Sequence, residues 1–254
     1  VAGNEVHREI GAALRHDFVI HDDAVGLHRG IRDLVAEVQV VTAAAREHAQ
    51  QLLKLTPDNP SALELAGAVE LSLNSMVQAE AMLTRAVQSA PDLRLARRLL
   101  VTTYLRTGQV DRAIAALPAD LATSDRDPAL PSVAGQAHMV KGQVDQAQVY
   151  FARAARLDPD DAAKRTTLAV SQLAAGKTDM AIDSLEDIAA SDKGVSADLA
   201  LINAHLRMRK IDDALKAIDA LEKKRPGDPM PWQLRGRALL LRNDVAGARQ
   251  AFER

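Results

Sequence analysis

Cysteine is absent from the chain, which removes disulfides, thiolate nucleophiles, iron–sulfur clusters and cysteine-type zinc sites at once. Aromatic residues make up 2% of it, so a stacking surface for nucleic-acid bases has almost no material. No apolar run reaches the roughly 18 residues of a membrane helix, and no basic-then-apolar segment opens the sequence. Nor is there an excess of one charge: 32 Lys and Arg stand against 34 Asp and Glu, a net -2, so nothing draws the whole chain to nucleic acid or anionic lipid. The motifs G-x-S-x-G, G-x-x-x-x-G-K and G-x-G-x-x-G are missing too, which leaves no nucleophile elbow and no phosphate cradle. What is there is 47% apolar residues, mostly Ala and Leu, and these favour helices over strands. The segment is expected to be soluble.

The order of these residues repeats. Leu55-Thr56-Pro57-Asp58, Ser89-Ala90-Pro91-Asp92, Leu157-Asp158-Pro159-Asp160 and Lys224-Arg225-Pro226-Gly227 each close a helical run, and Pro57 to Pro91 is a step of 34 residues. Placing that proline at position 32 of a unit gives units starting at 26, 60, 94, 128, 162, 195 and 229, the fifth one residue short. Position 20 played no part in setting the register, yet it is alanine throughout: Ala45, Ala79, Ala113, Ala147, Ala181, Ala214 and Ala248. A fixed period of this length is the signature of stacked repeats.

Each unit reads as two helices, for example Ser61 to Leu73 and Val77 to Ser89. Gly108, Gly142 and Gly176 fall at position 15, where the chain turns sharply and a residue without Cβ costs least. Small residues at positions 8 and 20, such as Gly67 with Ala79 and Gly135 with Ala147, are expected to let the two helices approach closely.

The margins depart from this pattern. Residues 26 to 59 carry Val40-Val41-Thr42 where the turn belongs, which suggests one long helix. In the unit starting at 94, Pro118 cuts the second helix, and Asp120 to Pro131 reads as a polar, proline-bearing connection. The repeat step survives it, so it is read as a local irregularity and not a domain boundary. Residues 1 to 25 form a leader in which Val6, Ile10 and Leu14 suit the apolar stripe of a short packing helix. A start at Val1 and a stop at Phe252-Glu253-Arg254, inside a unit, suggest a piece of a longer protein. An apolar end face around Leu239, Leu240 and Phe252 is then expected to be exposed and to support end-to-end contacts between copies.

These residues resemble the tetratricopeptide repeat family, whose pattern is W-x2-L-G-x2-Y, then A-x3-F, then P. Ala147-Gln148-Val149-Tyr150-Phe151 with Pro159 matches the second half, as does Ala248-Arg249-Gln250-Ala251-Phe252. Trp232 with Gly236 matches the first half, with Arg235 in place of the Leu, and Tyr104 holds the tyrosine position. The resemblance covers residues 60 to 254 and implies an all-α fold, a right-handed superhelical solenoid of antiparallel helix pairs over 26–254, first unit degenerate and last truncated. The stretches 91–100, 165–176 and 213–224 resemble, more narrowly, the repeat lipoprotein of bacterial PEP-CTERM/exosortase systems. That likeness implies a periplasmic, outer-membrane-associated parent protein beside exopolysaccharide and protein-sorting genes, with this chain a slice that lacks the lipidated cysteine.

In this family the first helices line a concave groove, and positions 2, 5, 9, 12 and 13 point into it. Here they supply Leu95, Arg98, Thr102, Leu105 and Arg106, then Ala129, Ser132, Gln136, Met139 and Val140, then Ala163, Thr166, Val170, Leu173 and Ala174. Further along come Ser196, Leu199, Asn203, Leu206 and Arg207, then Met230, Gln233, Arg237, Leu240 and Leu241. Arg98, Arg106, Arg207 and Arg237 against Glu37 and Glu64 give the groove about +2, on a chain of net -2. Arg heads suit carboxylates and the aliphatic residues suit apolar anchors; equally, several Leu suit inter-repeat core and the Arg suit water. The Lys and Asn of the family's chaperone-tail clamp are absent: Arg98 stands with Thr102, and Leu199 with Asn203.

Other constellations have plainer readings. His16, His21, Asp22, Asp23 and His28 lie close in sequence, but their spacing fits no helical zinc pair, so a polar leader is expected and no metal site. His138 and His205 fall at position 11, ordinarily a packing site. Asp158, Asp160, Asp161, Asp212 and Asp213 are expected at helix starts or inter-helix turns, where carboxylates cap and complement the dipole. The expected function is a non-catalytic scaffold, without cofactor, metal or nucleic acid, that holds a partner protein or peptide in the groove within an envelope sorting system. The alternative is the substrate-recruiting repeat region of a larger enzyme whose catalytic domain lies elsewhere.

Overall fold

The computed structural model describes residues 44–121 and 127–254, and the chain divides into two compact units, Val1–Asp58 and Asn59–Arg254. In the first unit residues 44–55 are helical. The leader with its histidines, Glu37 and the Val40-Val41-Thr42 segment lie outside the described residues.

The second unit is built of helix pairs. They are α1 (Pro60–Ser72) with α2 (Met76–Ser89), α3 (Arg94–Arg106) with α4 (Val110–Ala115), and α5 (Ala129–Val140) with α6 (Val144–Leu157). Then follow α7 (Ala162–Ala174) with α8 (Thr178–Ser191), α9 (Ser196–Arg207) with α10 (Ile211–Lys224), and α11 (Met230–Leu241) with α12 (Val245–Phe252). The helices of a pair pack on each other, and each second helix packs on the next first helix. This chain of near-neighbour contacts is an α-solenoid.

Local chemistry sets the boundaries. Asn59 caps α1 by accepting from the N–H groups of Ser61 and Ala62, and Asp161 caps α7 by accepting from Lys164. Position 15 is left-handed in all six pairs. Gly108, Gly142 and Gly176 have φ of 73°, 79° and 77°, and Asn74, Arg209 and Asn243 take the same conformation at 60°, 56° and 63°. The following N–H then reaches the carbonyl of position 11, as in Gln109 to Tyr104 and Gln143 to His138, each 2.8 Å. That bond closes a Schellman turn and satisfies a helix-end carbonyl.

The alanines at position 20, from Ala79 to Ala248, are buried in every pair. Close approach has a different partner from the one expected, however. A Cβ on Gly67, Gly135 or Gly236 would meet the position 24 side chain, Leu83, Phe151 or Phe252, at 2.4–2.5 Å. Glycine at position 8 thus makes room for the large residue of the second helix rather than for the small alanine.

Three departures from the repeat have visible causes. α4 stops at Ala115 ahead of Pro118, and Arg97 donates to the Ala116 carbonyl at this break at 2.8 Å and to the Pro91 carbonyl in the turn before α3 at 2.9 Å. Pro131, expected in a loop, lies instead in the first turn of α5 and is buried, because a missing N–H costs nothing there. Arg235, in the leucine position, stacks over Trp232 at 5.0 Å and pairs with Asp219 and Glu222 at 2.7 and 2.9 Å. At the C-terminal pair Leu240 and Phe252 are half-exposed, but Leu239 is buried against Ala248 and Ala251 and forms no part of an exposed face.

Candidate functional site

Each first helix divides its surface by the 3.6-residue period. Positions 3, 8, 10 and 11 face inward and are mostly buried, including Ala96, Val101, Thr103 and Tyr104 of α3. His138 and His205 are buried at position 11 as expected. His138 Nδ1 lies 2.7 Å from Gln143 Oε1 and its ring stacks on Tyr150, whereas His205 Nδ1 has no partner. Most residues at positions 2, 5, 9, 12 and 13 are exposed or half-buried and make up an outward stripe.

The residues expected in the groove lie on that stripe. Arg106, Gln136, Val170, Asn203, Arg207, Gln233 and Arg237 are exposed, and Arg98, Thr102, Leu105 and Met139 are half-buried. They are spread over α3, α5, α7, α9 and α11. Two further groove candidates belong to the interior: Thr166 is buried, and Leu206 joins the core of Ile202, Ile218 and Leu234. The reason is the tight seam between neighbouring first helices α7 and α9, and the filled one between α9 and α11.

The charges on the stripe are used unequally. Glu64 Oε2 accepts from the Ala96 N–H at 2.8 Å, so this carboxylate caps the next first helix. Arg98, Arg106, Arg207 and Arg237 enter no ion pair or hydrogen bond through their side chains among the described residues. A cation on a second helix behaves otherwise: Arg112 of α4 pairs with Glu80 at 2.6 Å and lies over the Tyr104 ring at 4.4 Å. Alongside the free guanidinium groups, Leu95, Val140, Val170, Leu240 and Leu241 are exposed on the same stripe. The stripe therefore offers free cations interleaved with apolar side chains.

A feature that the sequence reading missed sits between α5 and α7. A cavity of about 250 Å³ is lined by Ser132, Gln136, Phe151, Ala154, Asp161, Ala163, Lys164 and Thr167. Its signal was present in the small residues Ser132 and Ala163 at positions 5 and 2. At its rim Lys164 is held by Asp158 at 3.0 Å and, more closely, by Asp161. The Lys164 hydrogen bond keeps the Asp161 carboxyl below the usual carboxylate range, and the same bond raises the Lys164 ammonium. A wider cleft of about 480 Å³ opens beside the break at Pro118, lined by turn and packing residues such as Pro91, Arg97 and Leu121. Among the described residues no cluster of His, Asp and Glu suits a metal ion, and no helix is long and apolar enough to cross a membrane.

A family model described as the tetratricopeptide repeat matches residues 42–94, 133–195 and 199–254. Among solved structures the chain is similar to YrrB, described as a TPR protein with an unusual peptide-binding site, at 16% identity and a TM-score of 0.60 over 78% of this chain and 100% of that one. It is similar to a tetratricopeptide repeat protein from Parabacteroides merdae at 15% identity and a TM-score of 0.60, over 82% of this chain and 78% of that one. PilF of Pseudomonas aeruginosa aligns at 16% identity and a TM-score of 0.56, over 81% of this chain and 90% of that one. At these identities the likeness is one of fold. No curated protein sequence matches the chain at a significant level.

Proposed function

This chain belongs to the tetratricopeptide repeat family, and from that premise we propose that it is a non-catalytic scaffold holding an acidic segment of a partner protein along the first-helix face. Proteins of the family commonly act as interaction scaffolds for protein or peptide partners. The observation that carries the reading is the outward stripe, where Arg98, Arg106, Arg207 and Arg237 lack partners while Leu95, Val140 and Val170 are exposed beside them. Unpaired guanidinium groups favour carboxylates through bidentate hydrogen bonds, and the aliphatic residues between them gain by losing water.

The test is a fluorescence-anisotropy titration of acidic twelve-residue peptides against wild type and Arg98→Glu/Arg106→Glu. Tenfold or greater weakening in the variant, with a shallower salt dependence, is the expected result. Equal affinity and equal salt dependence would remove the charged groove from consideration.

We also propose a placement in a bacterial envelope assembly linked to exopolysaccharide and protein sorting, with the parent protein at the periplasmic side of the outer membrane. This rests on the sequence stretches 91–100, 165–176 and 213–224 and on nothing in the fold. Affinity capture from the source organism's envelope extract, with the same variant as control, tests it: recovery of sorting components by wild type alone supports the placement, and recovery of unrelated proteins overturns it.

A further inference from the structure

Neighbouring first helices pack directly at the α1–α3, α3–α5 and α7–α9 seams, whereas α5 and α7 scarcely touch. The cavity of about 250 Å³ lies in this gap, with Ser132 and Gln136 on one wall and Ala163 and Thr167 on the other. Its floor is Phe151 and Ala154 of α6, both core residues.

The α9–α11 seam shows how the chain fills such a space when it does so. There too the first helices are not directly packed, but Leu199 at position 5 and Met230 at position 2 pack into the core around Ile202, Ile218 and Leu234. The same two positions at the α5–α7 seam carry Ser132 and Ala163. The opening is therefore of side-chain size and shape, made by shortening the two residues that close its counterpart.

Its chemistry is mostly apolar. Ser132 and Thr167 donate their hydroxyls to the carbonyls of Pro128 and Ala163, each at 2.8 Å, within their own helices. The Lys164 ammonium is held by Asp158 and Asp161. Gln136 alone among the lining polar side chains is exposed with its amide unengaged, at a position from which it can pair with a peptide main chain as both donor and acceptor. A dry cavity of ~150 Å³ already accommodates a benzene ring in a protein interior, so this one has room for a leucine, methionine or phenylalanine side chain.

We propose that the α5–α7 pocket is the anchoring subsite for one uncharged apolar side chain of an acidic partner segment, whose carboxylates meet Arg98 and Arg106 on the adjacent helix. The occupant rests on the groove-binding reading; the pocket itself does not.

Two measurements keep these apart. In the first, the full chain with labelled alanine and threonine methyl groups is titrated with N-acetyl-leucinamide, N-acetyl-phenylalaninamide and the N-acetyl amide of glutamate. The leucine and phenylalanine probes are expected to shift the Ala154, Ala163 and Thr167 methyls and the glutamate probe is not. Ala163→Met, which copies Met230, is expected to lose the Ala154 and Thr167 shifts while melting at or above the wild-type temperature, and Ser132→Leu, which copies Leu199, to do the same. No shift with the apolar probes, or equal shifts in both variants, overturns the pocket. In the second, acidic twelve-residue peptides are varied one position at a time. One position is expected to demand leucine, methionine or phenylalanine, with binding weakened at least tenfold by Ala163→Met. Arginine-dependent binding with no such position overturns the pocket and leaves the groove reading standing; no binding by any peptide overturns the groove reading and the acidic occupant with it.

Discussion

Lys224 reaches back from the end of α10 to Asp198 in α9, with Nζ 2.7 Å from Oδ2, and the same ammonium donates to the carbonyls of Ala189 and Gly194 at 2.8 and 2.9 Å. This is the junction after the 33-residue unit, where Lys193 stands in place of the helix-ending proline. One cation thus holds the α8–α9 turn, whose counterpart proline punctuates in four other units. Both side chains are largely buried, at 19% and 5% exposure.

Lys224→Met should destabilise the second unit by about 3 kcal/mol, because it leaves a buried carboxylate and two carbonyls without their donor. Asp198→Asn/Lys224→Met should lose less than the single change, since the stranded charge is gone. Urea unfolding monitored by circular dichroism checks both; a loss below about 0.5 kcal/mol in the single variant would mean the ammonium is replaceable by water.

Gly135→Ala should cost about 1–3 kcal/mol, since the new Cβ would lie 2.5 Å from the ring of the buried Phe151, which has to shift out of its packed position to admit it. Phe151→Leu should recover part of that loss in the Gly135→Ala background. The chain supplies its own precedent, because Ala169 and Leu185 occupy the same two positions of the α7–α8 pair and are both buried. Additive losses in the double variant, read by the same unfolding measurement, would show that the ring is not the obstacle.

The repeat period was legible because it is written in residues that only one backbone accepts well. Position 20 requires a side chain no larger than alanine, and a glycine at position 15 announces a left-handed turn. Asn74, Arg209 and Asn243 hid that turn in the other three pairs, since asparagine takes it tolerably and arginine takes it only because its neighbours impose it. The positions expected in the groove came from the family resemblance alone, and it could not say which of their charges are free. Glu64 is a groove carboxylate by position and a helix cap by contact, and that distinction depends on where the next helix begins in space. The α5–α7 pocket is likewise a property of a seam between two units. Ser132 and Ala163 are unremarkable singly and make a cavity only because α5 and α7 stand apart there.

Arg209→Gly should stabilise the chain by about 1 kcal/mol. Arg209 sits at φ 56°, where a side chain other than glycine costs on the order of 1–2 kcal/mol, offset in part by the greater freedom glycine has in the unfolded chain. Its side chain is exposed, so little packing is lost. Asn74→Gly and Asn243→Gly, at φ 60° and 63°, should gain less, because asparagine tolerates the region better. A melting series of the three variants checks the ranking, and an Arg209→Gly protein no more stable than wild type would show that the turn is unstrained.

Stability should also fall between pH 7.5 and 5.5 through His205. The imidazole is 5% exposed at the α9–α10 contact, with Nδ1 unpartnered, and burial first of all lowers its proton affinity below the ordinary range. Asp213 and Glu186 nearby favour the charged form, Lys210 and Lys216 oppose it, and the balance leaves burial in command. A base whose folded-state pKa lies below its unfolded value binds fewer protons when folded. Its contribution is therefore complete above about pH 6.5, the unfolded value, and is lost as the pH falls below it. His205→Leu is the informative variant, because Leu239 holds the same position in α11 and is buried there. It should match or exceed wild type at pH 7.5 and lose less stability on going to pH 5.5. Urea unfolding of both proteins at the two values measures this, and parallel losses would assign the pH dependence to groups other than His205.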